Sequence, residues 1–151
     1  EEKDSNSGVI DEVVTACKRM SATKTGALIA IKRDGSLDFL KNSGDTMDIV
    51  VNAPIIQSIF YKNSTLHDGA MIIEDNKITA TRVILPVSDN RKIPQRFGLR
   101  HRAALGLTER SNALAIIVSE ETGKVSLVID GAFESYENMD ELADKIKNHL
   151  D

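Results

Sequence analysis

The sequence predicts an α/β fold, a single domain with a central mixed β-sheet flanked by helices. Short apolar runs of strand length stand at Ala27–Ile31, 70–74, Ala113–Val118 and Val125–Ile129. Between them lie segments whose apolar residues recur at helical spacing. One strand, polar turn and strand in succession around Asp75-Asn76 reads as a hairpin, and the interleaving of helices with strands places the sheet between helical layers.

In chain order, residues 1–8 are polar. Val9, Ile10, Val13, Val14, Cys17 and Met20 then fall on one stripe of a helix over 9–20. Thr25-Gly26 punctuates before the buried strand 27–31. Arg33-Asp34-Gly35-Ser36 is a turn signal, its Asp-Gly pair favouring a tight hairpin. Residues 36–46 read as loop with a short strand, and 48–51 as another short strand. Asn52-Ala53-Pro54 opens a helix with proline in its first turn, and Ile55, Ile56, Ile59 and Phe60 give it an apolar face. Strand 70–74 and strand 77–85 form the hairpin. Residues 88–98 are loop. Ala103, Ala104, Leu105 and Leu107 favour a helix over 100–110. Strands 113–118 and 125–129 are joined by Glu121-Thr122-Gly123. The last helix is capped by Asn138 with Glu141 three residues on, has Leu142, Ala143, Ile146 and Leu150 on one face, and places acids early and Lys145 and Lys147 late, as its dipole prefers.

At 151 residues with 41% hydrophobic content, the chain has material for one domain with a real core. Aromatics make up 4% and Trp is absent, which argues against stacking platforms for single-stranded nucleic acid. A net charge of −4 disfavours a general polyanion-binding surface, so any phosphate site must be local. The one cysteine, Cys17, excludes an internal disulfide and fits a reducing compartment. No apolar run approaches a membrane span and no signal peptide is visible. The chain opens on Glu1-Glu2-Lys3-Asp4 without Met, as an excised part of a longer protein would. No internal repeat, low-complexity tract or interdomain linker is present.

Two stretches stand out chemically. Leu66-His67-Asp68-Gly69-Ala70 offers a carboxylate and an imidazole at the mouth of a buried strand, suited to a divalent metal or a sugar hydroxyl. Alone, Asp-Gly is a common turn and a lone histidine is more often satisfied by backbone. The second stretch lies in a window free of acids from Asn90 to Thr108, which holds Arg91, Lys92, Arg96, Arg100, His101 and Arg102. Gly98 lets backbone approach a ligand, the following helix points free N–H groups at it, and arginines grip phosphate with paired bonds. Without that glycine, the run reads equally as a solvated helix face. Ser119-Glu120-Glu121 ends an apolar strand, where ligands often sit in α/β proteins, although a polar turn explains it as well. Gly123-Lys124 is not a Walker motif, because Val118 stands where the first glycine belongs.

Together these residues resemble the diadenylate cyclase (DAC) family, whose signatures are an Asp-Gly-Ala loop and an Arg-His-Arg stretch. Here they are Asp68-Gly69-Ala70 and Arg100-His101-Arg102. Thr25-Gly26-Ala27-Leu28-Ile29, Arg102-Ala103-Ala104-Leu105-Gly106-Leu107 and Val118-Ser119-Glu120-Glu121-Thr122-Gly123 match in the expected order. Their wording is that of the membrane-anchored, CdaA-type branch. The resemblance implies a DAC-type fold in residues 25–151, preceded by a polar segment and amphipathic helix in 1–24. It implies condensation of two ATP into cyclic di-AMP with release of two pyrophosphates at a face-to-face homodimer. It also implies an N-terminal membrane anchor outside this chain, a place on the cytoplasmic side of the membrane, and no nucleic-acid partner.

By the same resemblance, Asp68 binds Mg²⁺ or Mn²⁺ and activates the 3′-hydroxyl, with His67 and Glu121 as further metal contacts. Arg100, His101 and the amides near Gly98 hold the triphosphate, Arg102 contributes to substrate binding, and Ser119 and Glu120 lie near the phosphates or the metal. Gly69, Ala70 and Leu85 line the nucleoside pocket, with Leu85 against adenine. The family usually has threonine where Leu99 stands, so one hydroxyl contact to phosphate is lost and only the Leu99 backbone N–H can serve. The competing readings are a non-catalytic adenine-nucleotide sensor, which needs no activating acid, and an RNA-binding domain using the basic stretch, which predicts steeply salt-dependent affinity.

Overall fold

The computed structural model describes residues 2–90, 93–94 and 97–150, and side chains from residue 8 onward. The chain runs α1 (Glu2–Ala22), β1 (Ala27–Ile31), α2 (Asp38–Lys41), β2 (Asp45–Val50), α3 (Ala53–Phe60), β3 (Ala70–Glu74), β4 (Lys77–Val83), α4 (Leu99–Arg110), β5 (Leu114–Val118), β6 (Val125–Ile129), β7 (Ala132–Glu134) and α5 (Met139–Leu150). The strands form a mixed sheet of seven in the order β2-β4-β3-β1-β5-β6-β7. Within it β1 and β3 run parallel, and the other pairs are antiparallel.

The strand alternation builds a core on each face. On one face Ile29, Ile31, Met71, Ile73, Leu114, Ile116 and Leu127 pack against α1, α3 and α5 through Val13, Cys17, Ile56, Phe60, Leu142 and Ile146. On the other, Leu28, Ala30, Ile72, Ala115, Ile117 and Val128 meet α4 and the α2 segment through Ala104, Leu107, Leu37 and Leu40. Because β1, β3, β5 and β6 are buried on both faces, β1 and β5 read as continuous apolar runs and β3 and β6 as apolar runs broken only by Glu74 and Ser126. Gly106 allows α4 to press against the backbone at Pro86 and Ser88.

Several sequence expectations hold at atomic detail. The Asn52 side chain accepts from the Ile55 N–H at 2.9 Å and caps α3, and Asn138 accepts from the Glu141 N–H at 2.9 Å at α5. The β3–β4 hairpin turns on Asp75 and Asn76, both left-handed, the backbone a two-residue hairpin turn requires.

Others need correction. No hairpin forms at Asp34-Gly35: both neighbours of β1 are distant strands, and the Gly35 N–H is instead bonded to the Asn112 side chain at 3.2 Å. Residues 38–41 form a short helix rather than strand, and β2 begins at Asp45. α1 starts at Glu2, seven residues before its apolar stripe. β4 ends at Val83 rather than 85, after Arg82 adopts a left-handed φ of 55° and shifts the register. β7, only Ala132–Glu134, has no counterpart in the sequence reading; it is an edge strand reached through left-handed Asp130 and Gly131.

Candidate active site at one end of the sheet

The pairing register gathers four chain segments at one end of the sheet. Ala27 pairs with Val118, Val118 with Val125, Ala70 with Val83, and Ile29 with Met71. The start of β1, the start of β3, the end of β5 and the end of β4 therefore lie at one level. Gly26, the 66–69 loop and Ser119-Glu120 emerge side by side, one strand spacing apart, about 5 Å. The crevice rule for parallel sheets does not describe this edge, since β1 and β3 contribute their amino ends to it.

Asp68 projects from this edge with its carboxylate 85% exposed. His67 stands beside it, Nε2 to Oδ1 at 3.2 Å, while its Nδ1 lies 2.8 Å from the Ser64 carbonyl. A carbonyl can only accept, so Nδ1 carries the proton and Nε2 turns its lone pair toward Asp68 in the neutral ring. An imidazole anchored through its far nitrogen, beside a carboxylate, is a donor pair suited to a cation. The expected third ligand does not join it: among the described residues no three His, Cys, Asp or Glu side chains cluster as a metal site. Glu121 instead lies within electrostatic reach of His101. The donors present fit Mg²⁺ or Mn²⁺ held by one carboxylate with oxygens of a bound phosphate.

Gly69 sits at φ 89°, and a Cβ there would lie 2.7 Å from the Arg82 carbonyl carbon. The left-handed glycine and the Arg82 bulge are back to back, and Arg82 is pinned by an ion pair to Asp45 at 2.6 Å. This packing aims the Asp68 loop outward. Ala70 and Leu85, expected to line a nucleoside pocket, are buried in the α4-side core and form the floor below the edge rather than an open wall.

The cationic partner is the tip of α4. Gly98 is its N-cap and supplies no side-chain cap, so the first N–H groups of the helix, beginning at Leu99, are left for an anion. A Cβ on Gly98 would meet nothing within 4 Å, so the space above the tip is open. Leu99 is 76% exposed and offers that site only backbone. Arg100 folds across the start of β1: a Cβ on Gly26 would lie 2.6 Å from its Nη1. Its guanidinium reaches Glu120 at 3.6 Å. Two helical residues on, Arg102 is turned about 200° from Arg100, so the two arginines do not share a face. Of the other expected basic residues, Arg91, Lys92 and Arg96 lie outside the described residues.

His101 is half-buried and stacked on Phe97, centroids 5.0 Å apart and planes at 15°. Burial lowers its pKa below the usual histidine value, and the nearby charges of Arg100 and Lys124 push the same way against Glu121. Ser119 is used by its own turn, its Oγ accepting from the Glu121 and Thr122 N–H groups at 3.2 Å each. The turn is moored to α1 by the Ser21 hydroxyl, which donates to the Gly123 carbonyl at 2.5 Å.

Sequence reasoning had treated Gly26 as punctuation. Its place under Arg100 depends on α4 crossing the sheet, which local pattern does not encode. Phe97 and Phe133 were equally invisible, because the Phe97–Phe133 contact at 4.9 Å joins a loop to an edge strand.

An acidic loop and an uncapped, arginine-bearing helix tip at one sheet edge define an α/β domain equipped to bind a polyphosphate beside a carboxylate. The chain belongs to the diadenylate cyclase (DAC) family: residues 14–133 match the family described as DisA bacterial checkpoint controller nucleotide-binding. It is 42% identical over 119 residues to the diadenylate cyclase CdaS of Bacillus thuringiensis, covering 79% of this chain and 59% of that protein. It is 39% identical over 142 residues to the diadenylate cyclase of Mycoplasma genitalium, covering 93% and 70% respectively. The crystal structure of a double mutant of DacA from Staphylococcus aureus superposes with a TM-score of 0.91 at 36% identity, covering 95% of each chain. The crystal structure of a protein from Bacillus cereus described as a hypothetical membrane-spanning protein matches with a TM-score of 0.81 at 39% identity, over 85% of this chain and 63% of that one. Among the described residues no helix is long and apolar enough to cross a membrane.

Proposed function

We propose that this domain condenses two ATP into cyclic di-AMP with release of two pyrophosphates. The observation that carries the reading is the shared sheet edge, where the Asp68 loop and the Arg100-bearing tip of α4 flank Gly26 and Glu120. The names of the matched relatives support it, although the chain spans only 59% of CdaS.

Each step forms one bond and breaks one. The 3′-hydroxyl oxygen of one ATP bonds to the α-phosphorus of the other, the bond from that phosphorus to the β-bridging oxygen breaks, and pyrophosphate leaves. The second hydroxyl repeats the step in the opposite sense and closes the ring. Such transfers depend on positioning and charge stabilisation. Asp68 accepts the hydroxyl proton. Arg100 exchanges Glu120 for the triphosphate, a stronger paired interaction. The free N–H groups at the start of α4 hold further phosphate oxygens, and neutral His101 hydrogen-bonds without adding charge. Asp68 and His67 Nε2 would hold Mg²⁺ or Mn²⁺, which neutralises phosphate charge when bound.

One chain carries one such constellation, whereas the product has two equivalent halves. The working unit is therefore a two-fold dimer with the sites face to face. The likeness to a protein described as a hypothetical membrane-spanning protein supports placing the domain beside a membrane; ATP as substrate puts it on the cytoplasmic side, behind an N-terminal anchor.

Incubation with ATP and Mn²⁺ followed by product chromatography tests the reading. Cyclic di-AMP should form at a rate rising more than linearly with protein concentration in the dilute range. Asp68→Asn should remove turnover and retain ATP binding. ATP binding by the unaltered protein with no product at any concentration would leave a nucleotide sensor as the function.

A further inference from the structure

A cavity of about 430 Å³ lies between α4, β6 and β7, on the flank of α4 that faces the β7 edge, away from the Asp68 loop. Its lining combines aromatic faces with polar groups. Phe97 and Phe133 form one wall and Tyr136 contributes to another. Ser126 stands on the inner wall. It pairs in register with Ile117, whose side chain packs on the α4 side, so its hydroxyl points to that side of the sheet. Ser126 is 7% exposed, and that exposure is to this cavity. Glu109 and Glu134 bring carboxylates to the same space. Glu109 Oε2 accepts from the Ser88 hydroxyl at 3.0 Å, and Oε1, 4.0 Å from Arg110 Nη1, keeps acceptor capacity. Gly131 at φ 75° lets the Glu109 stem lie across the β6–β7 turn, since a Cβ there would stand 3.1 Å from Glu109 Cγ.

A polar group whose exposure is confined to a cavity is satisfied by whatever fills it, water or ligand. Aromatic walls select a flat ring. Two carboxylates select N–H donors on its edge, and the serine O–H can donate to a ring nitrogen. We propose that this cavity is a binding site for a flat heteroaromatic ring with an exocyclic amine, separate from the site at the sheet edge. The aromatic wall also connects it to that edge. Phe133 tilts onto Phe97 at 4.9 Å, and Phe97 stacks on His101 at 5.0 Å. A ring bound in the cavity contacts Phe133 and Phe97 and is coupled through Phe97 to His101, a route to phosphate binding beyond the activity proposed above.

Adenine and hypoxanthine are a matched pair of probes, alike in ring and different in the amine. Calorimetry with the Arg100→Ala protein, whose sheet-edge grip on phosphate is removed, should show one adenine per chain. Hypoxanthine should bind about ten-fold more weakly, as should adenine on adding Ser126→Val, the effect of one lost hydrogen bond. Phe133→Ala, at an exposed edge position, should weaken adenine similarly and serves if the serine variant does not fold. In NMR spectra of the Arg100→Ala protein, adenine should shift the His101 ring protons together with those of Phe133. No adenine binding, equal binding of both probes, or binding unchanged by both Ser126→Val and Phe133→Ala would overturn the proposal. None of these readouts depends on turnover, so failure here leaves the cyclase reading untouched, and the reverse.

Discussion

Replacing Gly26 by alanine separates the geometry of the site from the stability of the fold. Gly26 has no left-handed backbone, so alanine introduces no conformational strain there. The added methyl would meet Arg100 Nη1 at 2.6 Å and Cζ at 2.7 Å, against the 3.4 Å of ordinary contact. The guanidinium must withdraw by about 0.8 Å, the difference between 3.4 and 2.6 Å. It is the far end of a flexible, partly exposed side chain, so withdrawal costs little stability, under about 1 kcal/mol by the usual size of surface substitutions. For phosphoryl transfer, a displacement near 1 Å can cost about 100-fold in rate, equivalent to roughly 2.7 kcal/mol of barrier. Gly26→Ala should therefore lower kcat/KM for cyclic di-AMP formation by about 10- to 100-fold, with a urea midpoint close to that of the parent. Activity within about three-fold of the parent, with Arg100 intact, would refute the placement of Arg100 over Gly26 as the productive one.

Gly69→Ala should act on both properties. Its left-handed backbone and the 2.7 Å approach to Arg82 leave no room for a methyl, and the combined strain and overpacking come to about 2–4 kcal/mol in urea unfolding. His101 gives a pH dependence of known sign. Its folded-state pKa lies below the unfolded value because of burial and nearby positive charge, so below neutrality the unfolded chain binds more protons. Its contribution is a loss of stability as pH falls through the ordinary histidine range toward the lowered folded value. His101→Gln should flatten that part of the stability–pH curve, and an identical slope in the two proteins would contradict it. Cys17 is fully buried and its thiol is pushed up to about 12 by desolvation. A thiol reagent at pH 8 should leave the native protein unmodified and label one site in denaturant.

The elements that local chemistry specifies were legible in the chain. β1, β3 and β6 appear at the residues their apolar runs mark, because a strand buried on both faces carries few polar positions, here Glu74 and Ser126 alone. The caps at Asn52 and Asn138 are likewise short-range hydrogen bonds written within four residues. The Asp68 and Arg100 stretches were recognisable by residue type and order. Tertiary structure decided where they meet. The parallel pairing of β1 with β3 sets Gly69 level with Ala27, and the path of α4 lays Arg100 on Gly26, contacts between residues 74 positions apart. The same long-range packing overrode the Asp34-Gly35 turn signal and made a strand of Ala132–Glu134. A turn propensity is worth less than the burial of a strand between two neighbours, so the sheet selects the partners and the sequence supplies the groups that its edge brings together.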